Sequence, residues 1–153
     1  MESINNDQKY LNYKEQFKRL DKALKYGFNL EAVFIEYAIL EDRAEASLRY
    51  EGNEIHTKEG HFVSIDRKLK KIKDIAREKK SLPSRYFTDE FIDEILSWKE
   101  ERNGMIHAFM KKQLTTESIE AVALKGKDLA RQMANKATNY RRAVERRNKG
   151  IIN

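Results

Sequence analysis

The chain has 153 residues, of which 37% are charged, with six glycines, one proline and no cysteine. That length suits one domain around a single core, and so few turn residues favour long helices over a turn-rich β fold. Without cysteine there is no disulfide framework or thiolate metal site, and the three scattered histidines are a poor basis for zinc. The expectation is an all-α, single-domain bundle of about five helices over residues 1–153, with no metal and no cofactor. The net charge of +6 is modest, and its uneven placement is more informative than its total. Met1-Glu-Ser-Ile-Asn-Asn lacks the basic start and apolar run of a signal peptide, and no stretch could span a membrane. The protein is expected to be cytoplasmic, with no membrane partner.

A first helix is predicted from about Asp7 to Tyr26, with Tyr10, Tyr13, Phe17, Leu20 and Leu24 at helical spacing. Gly27 suits its end, and Asn29 suits the cap of a second helix over about Leu30 to Tyr50. Leu30, Val33, Phe34, Tyr37, Leu40, Ala44 and Leu48 fall on one face of that helix. Ile35 points away from this face, which favours a further packing surface such as a dimer interface. Glu41 lies about 40° from the centre of the stripe on the 3.6-residue repeat. A carboxylate there reaches solvent at the edge of the stripe, or it is met by a cation.

Residues 51–61 break the pattern and read as a loop carrying His56 and His61, both expected to face solvent. Ser64 offers a cap for a third helix, whose stripe is Ile65, Leu69, Ile72 and Ile75. Its other side carries Arg67, Lys68, Lys70, Lys71, Lys73, Arg77, Lys79 and Lys80 against only Asp66, Asp74 and Glu78. Such a run is usually a solvated face, and it is also a reasonable phosphate-binding surface. Pro83 ends the helix. Thr88, with Asp89 and Glu90 behind it, starts a fourth. After Lys111 and Lys112, Thr115-Thr116-Glu117 starts a long final helix with small residues, among them Ala123, Gly126 and Ala130, on its inner face. Small residues suit close approach to another helix. The chain closes on a second basic cluster, Arg141 to Lys149.

The fourth helix holds the most informative stretch, Trp98-Lys-Glu-Glu-Arg102-Asn103-Gly104-Met105-Ile106-His107. Phe91, Ile95, Trp98, Met105, Ile106 and Phe109 share a face, with Arg102 near its centre. A guanidinium on an apolar stripe must be paired or must open into a cleft, because burying an unpaired charge is expensive. Glu41 is one partner that could orient it. Asn103 and His107, four apart, share a second face. Arg102 and His107 stand roughly 140° apart on an unbroken helix. They serve one small site if Gly104 loosens the helix, or if two copies of the segment face each other.

Arg102-Asn103-x-x-x-His107 on a helix of a small all-helical chain resembles the HEPN superfamily, whose signature is Arg followed four to six residues later by His. The resemblance implies a HEPN-like bundle and a metal-independent endoribonuclease, usually dimeric, from toxin–antitoxin, abortive-infection or antiviral defence systems. It implies Arg102 and His107 as the catalytic pair and Asn103 as a supporting polar residue. RNA and a second copy would be its partners, with an antitoxin or regulatory protein a further possibility.

The residues fit that chemistry. Attack of a ribose 2′-hydroxyl on the adjacent phosphate needs no metal if the protein moves protons and stabilises negative charge. Histidine suits the proton transfer. Arginine stays cationic and binds phosphate oxygens in a fork. One histidine does not readily act on both sides of a phosphate, whereas a symmetric dimer supplies two. Lys68, Lys70, Lys71, Lys73, Lys111 and Lys112 are the candidate RNA contacts. The alternative is a non-catalytic HEPN-like module for RNA binding or protein interaction, which needs the basic faces and survives loss of His107.

Overall fold

Among the described residues five α-helices form where apolar spacing and capping residues place them. The computed structural model describes residues 5–59, 61–111 and 113–150. Helix α1 is Asn6–Lys25, α2 Asn29–Arg49, α3 Ile65–Ala76, α4 Asp89–Ala108 and α5 Thr116–Asn148, with no strand among the described residues. Four starts are closed by side chains that accept a backbone N–H: Asn5 from Gln8, Ser64 from Arg67, Thr88 from Phe91 and Thr115 from Ser118.

Two boundaries differ from expectation. Asn29 does not cap α2; it is the buried first helical residue, after Phe28, whose side chain makes no capping bond. Helix α3 stops at Ala76, several residues short of Pro83, and the intervening turn carries Lys80 at φ 67°. The tight α1–α2 turn uses Gly27 at φ 77°, where the Phe28 N–H reaches back to the Ala23 carbonyl at 2.8 Å.

Helix α2 is the central element, with α1, α3 and α5 packed around it. This explains why its apolar pattern departs from a single stripe. Ala32, Val33, Ile35, Ile39, Leu40, Ala44 and Leu48 are all buried, so burial extends round most of the helix. Ile35, expected on a separate surface, is only 5% exposed. Leu30 and Phe34, expected in the core, are 42% and 69% exposed on the ridge that no helix covers.

Side-chain bridges give the helix directions. Arg19 meets Glu31 at 2.9 Å while Tyr13 donates to Asp42, so α1 and α2 are antiparallel. Lys73 meets Asp93 at 2.8 Å and Lys99 meets Asp66, so α3 and α4 are antiparallel. The Trp98 indole N–H donates to the Val122 carbonyl at 2.8 Å and Lys136 lies over the Phe91 ring, so α4 and α5 are antiparallel. Glu51 takes both Tyr140 and Arg147, while Glu36 lies against Gly126, so α5 runs parallel to α2. One end of the bundle therefore gathers the start of α2, the end of α4 and the start of α5. The other gathers the ends of α2, α3 and α5. Among the described residues no helix is long and apolar enough to cross a membrane.

The α2–α5 seam closes directly over Gly126, which has no side chain. A Cβ there would lie 2.6 Å from the Trp98 ring and nearer still to the Glu36 carboxylate. Glu36 is fully buried, and neither of its oxygens has a hydrogen-bond partner among the described residues.

Candidate functional site

Helix α4 continues without a break through Gly104 to Ala108. Gly104 is exposed, with open space where a Cβ would point, so it is neither a hinge nor a packing requirement here. The roughly 140° between Arg102 and His107 is therefore kept within one chain. His107 is exposed and Asn103 half-buried.

Arg102 is half-buried and held from two sides. Its guanidinium carbon lies 4.1 Å from the centroid of the Tyr37 ring, and its Nη1 donates to the Asn103 side-chain oxygen at 2.9 Å. Stacking on an aromatic face suits the flat, weakly hydrated guanidinium. Its Nε is buried without a partner, and no carboxylate pairs with Arg102 among the described residues. Arg102 is thus an immobilised cation whose charge is not cancelled. Tyr37 remains a phenol beneath it: burial pushes its pKa up, the Glu41 charge adds to this, and Arg102 and Lys99 oppose it.

The expected Arg102–Glu41 pair does not form. Glu41 instead accepts from Lys68 at 3.2 Å. The competing cation comes from α3, which packs closely along α2 at this level. Lys68 is correspondingly buried, with Glu45 as a more distant second partner at 3.9 Å. It is not part of a solvent-facing phosphate surface. Lys73 is half-buried and engaged with Asp93. Lys70 and Lys71 remain exposed without an acidic partner among the described residues, and Lys111 is exposed beyond the end of α4. Lys112 lies outside the described residues. The predicted cations are thus divided between the α3 flank and the motif end.

Arg102 opens into a depression of about 260 Å³ between α2 and α4, lined also by Leu30, Val33, Phe34, Met105, Ile106 and Phe109. His107 is not in this lining. Leu30, Phe34, Ile106 and Phe109 are all substantially exposed, so an apolar rim surrounds a fixed cation. Isolated exposed apolar residues need no explanation, whereas these four lie together on one rim.

Three features were not anticipated from the chain. Tyr37 is the platform for Arg102. Glu36 sits three residues after Val33 and four before Leu40, inside the α2 stripe, so its burial was signalled by spacing. Arg43 is buried over the Tyr13 ring, with its Nε donating to the Tyr13 hydroxyl at 2.6 Å. No group of three or more His, Cys, Asp or Glu able to hold a metal occurs among the described residues.

Comparison of the chain with protein-family models, with curated proteins and with solved structures returns no match.

Proposed function

We propose that this protein is a metal-independent endoribonuclease of the HEPN type, acting as a homodimer that brings together Arg102 and His107 of two copies. The observation that carries this reading is Arg102 itself. It is a positioned guanidinium with no counter-ion among the described residues, five residues before an exposed histidine on an unbroken helix. A structural arginine in that place would be expected to have a carboxylate beside it.

The 2′-hydroxyl of the substrate attacks the adjacent phosphorus, one His107 takes the hydroxyl proton, and the other protonates the leaving 5′-oxygen. Arg102 stabilises the charge growing on the non-bridging oxygens. Products end in a 2′,3′-cyclic phosphate and a 5′-hydroxyl. Asn103 and Tyr37 hold the guanidinium in place. Dimerisation is supported by the rim of Leu30, Phe34, Ile106 and Phe109: a twofold axis through that patch apposes the same apolar surface on both copies. The biological setting we propose is a toxin or an abortive-infection or antiviral effector, with an antitoxin or regulator as a further partner.

The same apolar rim favours a second reading, a non-catalytic module that docks another protein there. Cleavage of end-labelled RNA in EDTA separates the two. The enzyme gives cyclic-phosphate ends that disappear in folded Arg102→Ala and His107→Ala variants. RNA left intact by the unmodified protein, or cut equally by all three proteins, would overturn the catalytic reading.

A further inference from the structure

The cations that the motif leaves unused collect at the opposite end of the bundle. Arg49 closes α2, Lys79 and Lys80 follow α3, Arg142 and Arg146 lie in the last turns of α5, and Lys149 is its C-cap. All six are exposed, and none has an acidic partner among the described residues. Arg142, Arg146 and Lys149 are spaced i, i+4 and i+7, so they form one ridge. It faces away from the core, because Tyr140 and Val144 on the other side of the helix are buried.

Helix dipoles explain part of this arrangement. Cations are favoured in the last turn of a helix, which accounts for Arg49 and Arg146. Arg142 lies beyond that reach, since α5 continues to Asn148. Like charges four apart on one face repel each other. Among the described residues no carboxylate pairs with Arg142, Arg146 or Lys149: Glu51 is engaged by Tyr140 and Arg147, Glu145 by Arg141, and Asp74 by Arg77. Among the described residues the ridge has no apolar anchor for a bilayer beside it, since Leu124, the large exposed hydrophobic residue of α5, lies towards the other end of the helix. Surface helices that enter membranes combine cations with such anchors.

We infer that this end of the bundle is a docking surface for the phosphodiester backbone of single-stranded RNA, separate from the Arg102–His107 site; the choice of RNA as the polyanion rests on the ribonuclease reading. Helix α4 has 20 residues, which at about 1.5 Å per residue separates the two regions by roughly 30 Å. A long strand engages both regions, and a short one reaches only the catalytic residues. The ridge therefore selects long RNA by lowering KM.

The test measures binding of a labelled single-stranded RNA about thirty nucleotides long to full-length His107→Ala protein, with salt as the variable. The same protein carrying Arg142→Gln, Arg146→Gln and Lys149→Gln is compared with it. Three lost phosphate contacts make the slope of log affinity against log salt shallower by about 2, so a fourfold rise in salt costs the parent roughly twentyfold more affinity than the variant. A charge-retaining Arg142→Lys, Arg146→Lys, Lys149→Arg variant keeps the parental slope, and circular dichroism checks that all three proteins are folded. Equal slopes in parent and glutamine variant would overturn the proposal. So would unchanged RNA binding with a selective loss of binding to anionic phospholipid vesicles, which would assign the ridge to a membrane surface. If the protein with His107 intact cuts no RNA, the catalytic reading fails while the binding comparison still decides this one.

Discussion

Replacing Glu36 by Gln should flatten the dependence of stability on pH. Glu36 is fully buried between α2, Trp98 and Gly126, and both carboxyl oxygens lack a hydrogen-bond partner among the described residues. Burial pushes its pKa up from 4.5 to about 8, with only the charge of Lys127 opposing it. The sign follows from counting protons. Between pH 4.5 and about 8 the native state keeps a proton that the unfolded chain has released. Stability from this group is therefore complete below pH 4.5 and falls as pH rises towards about 8. At about 1.36 kcal/mol per pH step, the loss is on the order of 3 kcal/mol by pH 7 and of 5 kcal/mol by pH 8. Glutamine has nearly the shape of the neutral acid and cannot ionise. Its buried amide carries a roughly constant cost of about 1–3 kcal/mol, so the slope is compared and not the absolute stability. Urea unfolding followed by circular dichroism at steps from pH 5 to pH 9 gives the curves, and Trp98, the one tryptophan, reports the same seam by fluorescence. The wild-type unfolding free energy should fall relative to that of Glu36→Gln by a few kcal/mol across this range. Parallel curves for the two proteins would show that Glu36 is solvated or paired in solution, and the reasoning would fail.

Other substitutions test separate parts of the structure. Gly126→Ala places a methyl group against Glu36 and Trp98, and thermal unfolding should show a loss of about 1–3 kcal/mol from overpacking; a neutral result would mean that the seam can open. Glu41→Gln leaves the buried Lys68 ammonium with the Phe62 ring at 5.6 Å and the more distant Glu45, so stability should drop by about 1–3 kcal/mol while RNA cleavage per folded molecule is unchanged. A selective loss of cleavage would restore Glu41 to the site. Phe34→Asp alters a ring that is already 69% exposed; the fold should survive, while light scattering shows monomers and cleavage falls with them. A dimer that persists would place the interface elsewhere. Tyr37→Leu removes the ring beneath Arg102, and a contact worth about 1 kcal/mol predicts a roughly fivefold fall in kcat with little change in stability. An unchanged kcat would remove Tyr37 from the positioning of Arg102.

The chain determined its secondary structure through local chemistry. Ser64, Thr88 and Thr115 each close a helix start, because a side-chain oxygen satisfies an N–H that the helix cannot. The scarcity of turn residues and the apolar spacing were enough for an all-helical bundle with a long last helix. They also placed Trp98 and Met105 in the core, and they left Arg102 either paired or opening into a cleft, of which the structure shows the cleft. Periodicity does not show how many neighbours a helix has. Helix α2 is covered by three others, so Ile35 is buried off the main stripe while Leu30 and Phe34 remain uncovered on it. The partners of charged groups were equally out of reach. Glu41 pairs with Lys68 and not Arg102 because α3 brings an ammonium closer, and Arg102 rests on Tyr37 because α4 faces α2 across the depression there. Capping and spacing act within a few residues of one another and can be read along the chain. Charge pairing and exposure depend on which helix lies alongside, and only the tertiary structure decides that.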